Sequence, residues 1–262
     1  LGEWNKSLQY LTEAVEMAEK VGEYVAFVDG NLWVGELFME MVDYQEAEKC
    51  FSESQKICEK AGDIGTQLGW TFPAISRLHL KKGTVEKAKE LIEKTYEYAV
   101  KSNGKFFIAN AEILKGMLFR EQKDWEQSIQ HFEESLQAYK ELNAQKWYLP
   151  YFADLLYEYG SMYLDRTEEG DKEKAQNLFG QALEIFQKMG AMKKIKKVEA
   201  RMLHMETSKA ALVPKPIEHV ATGYADLDKL LCGGIPSNCA VVLTSPSCNE
   251  RDMLTSSFLK TG

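Results

Sequence analysis

The chain has 262 residues, 45% of them hydrophobic and 27% charged, with a formal net charge of −8. That is the composition of a globular protein with room for one or two domains. The acidic balance argues against a broad nucleic-acid surface, and no apolar run approaches the roughly 20 residues of a membrane span.

A periodic pattern fills the first 205 residues. It is anchored on a small residue at Ser7, Ala47, Ala88, Ser128 and Ala175, at steps of 40, 41, 40 and 47. Four positions later stands a large apolar residue: Leu11, Phe51, Ile92, Phe132 and Phe179. Seven positions later stands a second small or hydroxyl residue: Ala14, Ser54, Thr95, Ser135 and Ala182. Small, large and small at this spacing form one face of a helix. Each of these helices is closed by Gly22, Gly62, Asn103, Asn143 or Gly190, the residue types of a left-handed C-cap. A further helix is expected before each anchor from Ala47 onward. Twelve positions before the anchor lie Gly35, Ser76 and Gly116, and in the last pair Gly160 lies fifteen before. Three positions after these come Phe38, His79, Phe119 and Tyr163. One helical pair cannot bury both of its faces, whereas a stack of pairs can.

This pairing resembles the tetratricopeptide repeat, with Gly and an aromatic in the first helix and Ala, Phe and Ala in the second. The repeats here are longer than that family's usual 34 residues and lack its closing proline. The resemblance implies an all-α, right-handed superhelical solenoid over residues 1–207. It also implies that first helices line a groove for a peptide or protein partner. Carried over with Gly35, Ser76, Gly116 and Gly160 as anchors, the polar and aromatic groove positions are Asp29, Glu36, Trp70, Arg77, Asn110, Arg120, Asp154 and Tyr157. The apolar ones include Leu32, Met39, Leu80 and Ile113. The family's clamp for C-terminal carboxylates is absent, since its places hold Leu32 with Glu36, Pro73 with Arg77, and Ile113 with Met117. The alternative is that these are ordinary packing or solvated residues of the solenoid. Pro73 should start or kink its helix.

The basic run from Met192 to Arg201 carries Ile195, Val198 and Met202 at helical spacing and reads as an amphipathic closing helix. Its charges suit a solvated helix face better than nucleic acid or anionic lipid. His79, His131, His204 and His219 form no H-x-x-x-H and pair with no cysteine at ligand spacing, so no metal site and no catalytic constellation is expected. Cys50, Cys58, Cys232, Cys239 and Cys248 form no C-x-x-C pair and are read as reduced thiols of a cytoplasmic protein.

Composition changes at Ser208. Pro214 and Pro216 make residues 208–219 an extended linker. After it, Thr222-Gly223, Leu227-Asp228, Leu230-Leu231 and Gly233-Gly234-Ile235-Pro236 resemble the entry pattern of the RecA/KaiC-like ATPases. That resemblance makes residues 220–262 the start of an α/β phosphate-loop domain, with a strand at Ala240–Leu243 and a helix from about Arg251. Its loop would occupy Ser245–Asp252, which has lost every glycine of G-x-x-x-x-G-K-[ST]. Ser245 and Cys248 replace glycines that let backbone amides curl around phosphate. Arg251 stands at the lysine place, Asp252 at the magnesium hydroxyl, and Glu250 puts a carboxylate where phosphate oxygens would sit. No nucleotide or other cofactor is therefore expected, and the loop reads as a degenerate one.

The chain begins at Leu1, ends at Gly262 and opens with an unpaired second helix, so it reads as an internal fragment. The reading favoured is a partner-binding scaffold or signalling regulator with an inactive nucleotide-binding-like module. The alternative is the regulatory part of a RecA/KaiC-like ATPase whose working site lies beyond residue 262. Self-association is left open.

Overall fold

The computed structural model describes residues 2–61, 67–142, 148–210, 219–230, 235–236 and Ser256. The elements are α1 (Gly2–Val21), α2 (Tyr24–Glu40), α3 (Tyr44–Ala61), α4 (Leu68–Lys81), α5 (Val85–Lys101), α6 (Lys105–Glu121), α7 (Trp125–Glu141), α8 (Leu149–Arg166), α9 (Asp171–Lys188) and α10 (Met192–Ala210). They are followed by β1 (His219–Val220), α11 (Ala225–Leu230) and β2 (Ile235–Pro236). The chain divides into two compact units, Leu1–Met202 and Leu203–Gly262.

The first unit is an all-helical, repeat-like solenoid of consecutive hairpins. The closest packing is within the pairs α2–α3, α4–α5, α6–α7 and α8–α9. Each first helix also touches the preceding second helix, and α2, α4, α6 and α8 touch one another in order. The expected register of the second helices holds from α3 to α9. Ala47, Ala88, Ser128 and Ala175 are fully buried, as are Phe51, Phe132 and Phe179, with Ile92 nearly so.

The small residue of the first helix exists to receive that ring. A Cβ at Gly116 would lie 3.0 Å from the Phe132 ring, and one at Gly160 would lie 2.9 Å from Phe179. At Gly35 it would collide with Phe51. In the pair where Ser76 takes this place, the large residue is Ile92, which has no ring. Hydroxyls on the small positions stitch the pairs: Ser128 donates to the Gly116 carbonyl at 2.7 Å and Ser135 to that of Ala109 at 2.8 Å.

Helix α1 departs from this register. Ser7 and Ala14 are exposed and Leu11 is half-buried. In the other pairs that face meets a first helix, and among the described residues α1 has none. It instead packs on α2, where Val15 lies against Gly30.

The left-handed caps appear at Gly22, Asn103 and Gly190, while Gly62 and Asn143 lie outside the described residues. A second set closes the first helices at Val42, Gly83 and Lys123, with φ of 64°, 71° and 59°. There Asp43, Thr84 and Asp124 donate their amides to the carbonyls of Phe38, His79 and Phe119 at 2.9 to 3.0 Å. These are paired 6→1 closures of the Schellman type. Val42 is β-branched, a poor choice for that conformation, and it is 67% exposed. Val42→Gly removes no packing and should raise stability by about 1 kcal/mol in urea denaturation, whereas an unchanged midpoint would mean that φ is relaxed at no cost.

Pro73 lies inside α4, five residues past its start, and is buried. Of the start or kink expected there, the start is excluded, since α4 begins at Leu68. Proline takes away one amide donor, and Ala74, Ile75 and Leu78 after it pack into the core.

Helix α10 runs to Ala210, across the first residues of the linker expected from Ser208, and residues 211–218 lie outside the described residues. In the second unit β1 and β2 pair antiparallel, His219 opposite Pro236 and Val220 opposite Ile235. The Thr222-Gly223 and Asp228 positions form one knot before α11. The Thr222 amide and hydroxyl both donate to Asp228 Oδ1, at 2.8 and 2.6 Å, and Gly223 adopts φ +85°. The strand and helix expected at 240–243 and from 251 lie outside the described residues, as does the loop with Ser245, Cys248, Glu250, Arg251 and Asp252.

Candidate functional site

The contiguous row of first helices is the candidate site. Each helix packs against its own second helix and the preceding one, and leaves the rest of its surface for its first-helix neighbours and solvent. Burial removes part of the expected lining. Leu32, Met39, Leu80 and Ile113 are core residues. Asn110 and Tyr157 are also buried, at 4% and 6% exposure, and are out of reach of a partner. Asn110 bonds the Phe106 carbonyl and accepts from the Tyr139 hydroxyl. Tyr157 packs on Phe179 and lies 4.2 Å under the Lys197 ammonium. Asp29 stays exposed, and burial nonetheless pushes its carboxyl up against a hydrogen bond from Gln67. Trp70 sits in an aromatic cluster with Phe106, Phe107 and Tyr151, at ring distances of 5.2 to 5.7 Å.

The remaining expected residues enter a set of ion pairs running from helix to helix. Glu36 on α2 faces Arg77 on α4 at 3.8 Å, and Glu40 faces Lys81 at 3.7 Å. Arg120 on α6 bonds Glu158 at 3.0 Å and Asp165 at 2.7 Å on α8. The basic stripe of α10 continues the series. Lys194 bonds Asp154 at 2.7 Å, Lys197 lies 3.9 Å from Glu158, and Arg201 lies 4.0 Å from Asp165. The α10 charges expected to be a solvated face are thus partly engaged with α8, while Ile195 and Val198 are buried.

Electrostatics bind these groups into one neighbourhood. Burial raises the Glu36 carboxyl, while Arg77, Lys194 and Lys81 pull it down and Asp154 pushes it up. Burial disfavours charge on Lys194, yet Asp154 outweighs it and holds the ammonium above its ordinary range. The sequence reading missed Glu40, Lys81, Glu158, Asp165 and the role of Lys194. A signal was present: Glu36 and Arg77, Glu40 and Lys81, and Asp154 and Lys194 are opposite charges one repeat apart.

A second gathering also went unseen. Glu112, His131 and Glu134 are the one group among the described residues that could hold a metal ion. His131 Nδ1 is 2.6 Å from Glu112 and 3.6 Å from Glu134. Glu112 already has partners within the fold. Lys115 lies 3.1 Å from Glu112 and 3.3 Å from the Tyr96 ring centroid. Burial works to raise the Glu112 carboxyl, but hydrogen bonds from His131 and Lys115 hold it below its usual range. The His-x-x-Glu spacing from His131 to Glu134 was the signal for this set.

Cys50 is a free thiol, and burial pushes it up to about 11, which leaves it protonated at neutral pH. No helix among the described residues is long and apolar enough to cross a membrane.

No family model and no curated protein matches the chain. Among solved structures, the crystal structure of BtubC (BKLC) from P. vanneervenii matches 93% of this chain and 99% of that one, with 14% identity and a TM-score of 0.50. At that identity the likeness speaks to the fold alone, a helical one.

Proposed function

We propose that residues 1–207 form a tetratricopeptide-like right-handed superhelix whose first helices line a groove for a peptide or protein partner. The chain acts as a cytoplasmic scaffold or signalling regulator. The observation that carries this reading is the unbroken row of first helices, which presents half-buried charges and the Trp70 cluster beside a core built by both helices of each pair. Such a surface suits recognition of an extended or helical segment.

The test is to pan a display library of random dodecapeptides against the protein. Enrichment of related sequences over an unrelated helical protein supports the groove. A flat selection sinks it.

The second part of the proposal is that the module after the linker does not bind nucleotide. Its loop lacks the glycines of a phosphate cradle and carries Glu250 and Asp252 against a single Arg251. Calorimetric titration of Mg-ATP into the full-length chain should give no heat from this loop. Micromolar binding abolished by Arg251→Ala would restore the rival reading, the regulatory part of a working ATPase. That rival is favoured by one observation, the Thr222–Asp228 knot, which keeps the entry pattern's residues in use.

A further inference from the structure

Resting on the groove reading, we propose that Arg77 is an open docking point for a side-chain carboxylate, an aspartate or glutamate within the bound segment.

The inference starts from how the described arginines are satisfied. A guanidinium offers five N–H donors in a planar fork that fits a carboxylate. Arg120 places two of its nitrogens on Asp165 and Glu158, at 2.7 and 3.0 Å. Arg166 grips Asp171 with both arms, at 2.9 and 2.6 Å. The Arg77 guanidinium makes no hydrogen bond to the described residues. Its nearest carboxylate, Glu36, is 3.8 Å away, beyond bonding reach. Arg201, 4.0 Å from Asp165, is also loosely held, but it lies on the closing helix and its carboxylate is already taken by Arg120. Arg77 is held in the middle of the first-helix row with its side chain 26% exposed. Partial burial without bonded partners is a costly state for so many donors, and a ligand that fills them recovers that cost.

The charges around Arg77 balance, and what stays unfilled is the fork of Arg77 itself. Around Arg77 stand Glu36 and Glu40 of α2, Lys81 of α4, Tyr139 of α7, Tyr151 and Asp154 of α8, and Lys194 of α10. Lys194 is spent on Asp154, and Lys81 faces Glu40. Glu36 and Arg77 are left facing each other unbonded. A ligand carboxylate can take the fork of Arg77, and Tyr151, next to Trp70, offers ring surface beside it. Glu36 then becomes the group that opposes the ligand, and it sets how tightly an acid is held.

The experiment uses peptides recovered from the dodecapeptide selection, resynthesised with amidated C-termini and titrated by fluorescence anisotropy. A recurring Asp or Glu is expected. Changing it to Asn or Gln should weaken binding to the wild type about tenfold or more, and should cost nothing further on Arg77→Gln. Arg77→Lys should lose most of the affinity, because it keeps the charge without the fork, and circular dichroism should show both variants folded. Glu36→Gln should tighten binding severalfold. Peptides with no recurring acid overturn the inference and leave the groove reading standing. So does an acid whose replacement costs as much on Arg77→Gln as on the wild type, and so does binding that needs a free C-terminal carboxylate. A selection that enriches nothing removes the groove reading itself, and the inference with it.

Discussion

Phe132→Ala is expected to destabilise the first unit by about 3–5 kcal/mol, the range for emptying a fully buried aromatic site. Phe132 has no exposed surface, and its ring fills the notch left by Gly116. The same ring stacks on Tyr159 of the next pair at 5.3 Å. Removing it therefore leaves a void within α6–α7 and strips a contact from α8, so neither side can close the gap alone. Gly116→Val attacks the same joint from the other side by driving a branched side chain into the ring. Gly180→Ala is the control. Nothing lies within 4 Å of a Cβ there, so it should stabilise α9 by about 0.5–1 kcal/mol through helix propensity. Equilibrium urea denaturation reads all three. A Phe132→Ala loss below that of a surface substitution would show that the ring is not the joint between pairs.

Asp171→Ala should cost about 1–3 kcal/mol at neutral pH, the range for losing charged hydrogen bonds, since Arg166 keeps Glu168 at 3.2 Å. Asp171 is 1% exposed at the start of α9. It accepts both arms of Arg166 and the Glu168 amide, at 2.9 Å. This ties the end of α8 to the start of α9, the longest turn between the members of any described pair. The hydrogen bonds from Arg166 hold the Asp171 carboxyl below its usual range. A depressed carboxyl stabilises the fold above its unfolded value, and that contribution fades as pH falls through the folded one. The gap between wild type and Asp171→Ala should thus be full at neutral pH and shrink below about pH 4. A gap that is constant down to pH 2 would assign the loss to packing instead. Glu184→Ala, which removes an exposed pair with Lys188, should leave the denaturation midpoint where it is.

The second helices were readable because their signal is local. Ala47, Phe51 and Ser54 lie within one helix face, and burial of that face depends on little else. The same pattern misled at Ser7 and Ala14, since a face is buried only where a partner helix covers it. Asn110 occupies the place of exposed Asp29 and half-buried Asp154, and Tyr139 of α7 closes over it, which no local pattern encodes. Tyr157 shares its place with Leu32, Pro73 and Ile113, all of them buried, so its burial was legible in the apolar character of that place. The ion pairs Glu36–Arg77 and Asp154–Lys194 are contacts between repeats, legible only by comparing positions one period apart. The caps at Val42 and Lys123 carry no glycine or asparagine, so turn chemistry gave no warning of their left-handed backbone. Strands of two residues such as His219–Val220 have too few positions to show an alternation. The Thr222–Asp228 knot was visible as a motif, but the hydrogen bonds that require it were not.

The most direct test of the first-helix face as the binding surface is hydrogen–deuterium exchange of the protein with and without a selected peptide. Added protection should fall on α2, α4, α6 and α8 around Glu36, Arg77 and Asp154, with α3, α5, α7 and α9 unchanged. Protection confined to those second helices, or to residues 219–262, would contradict it.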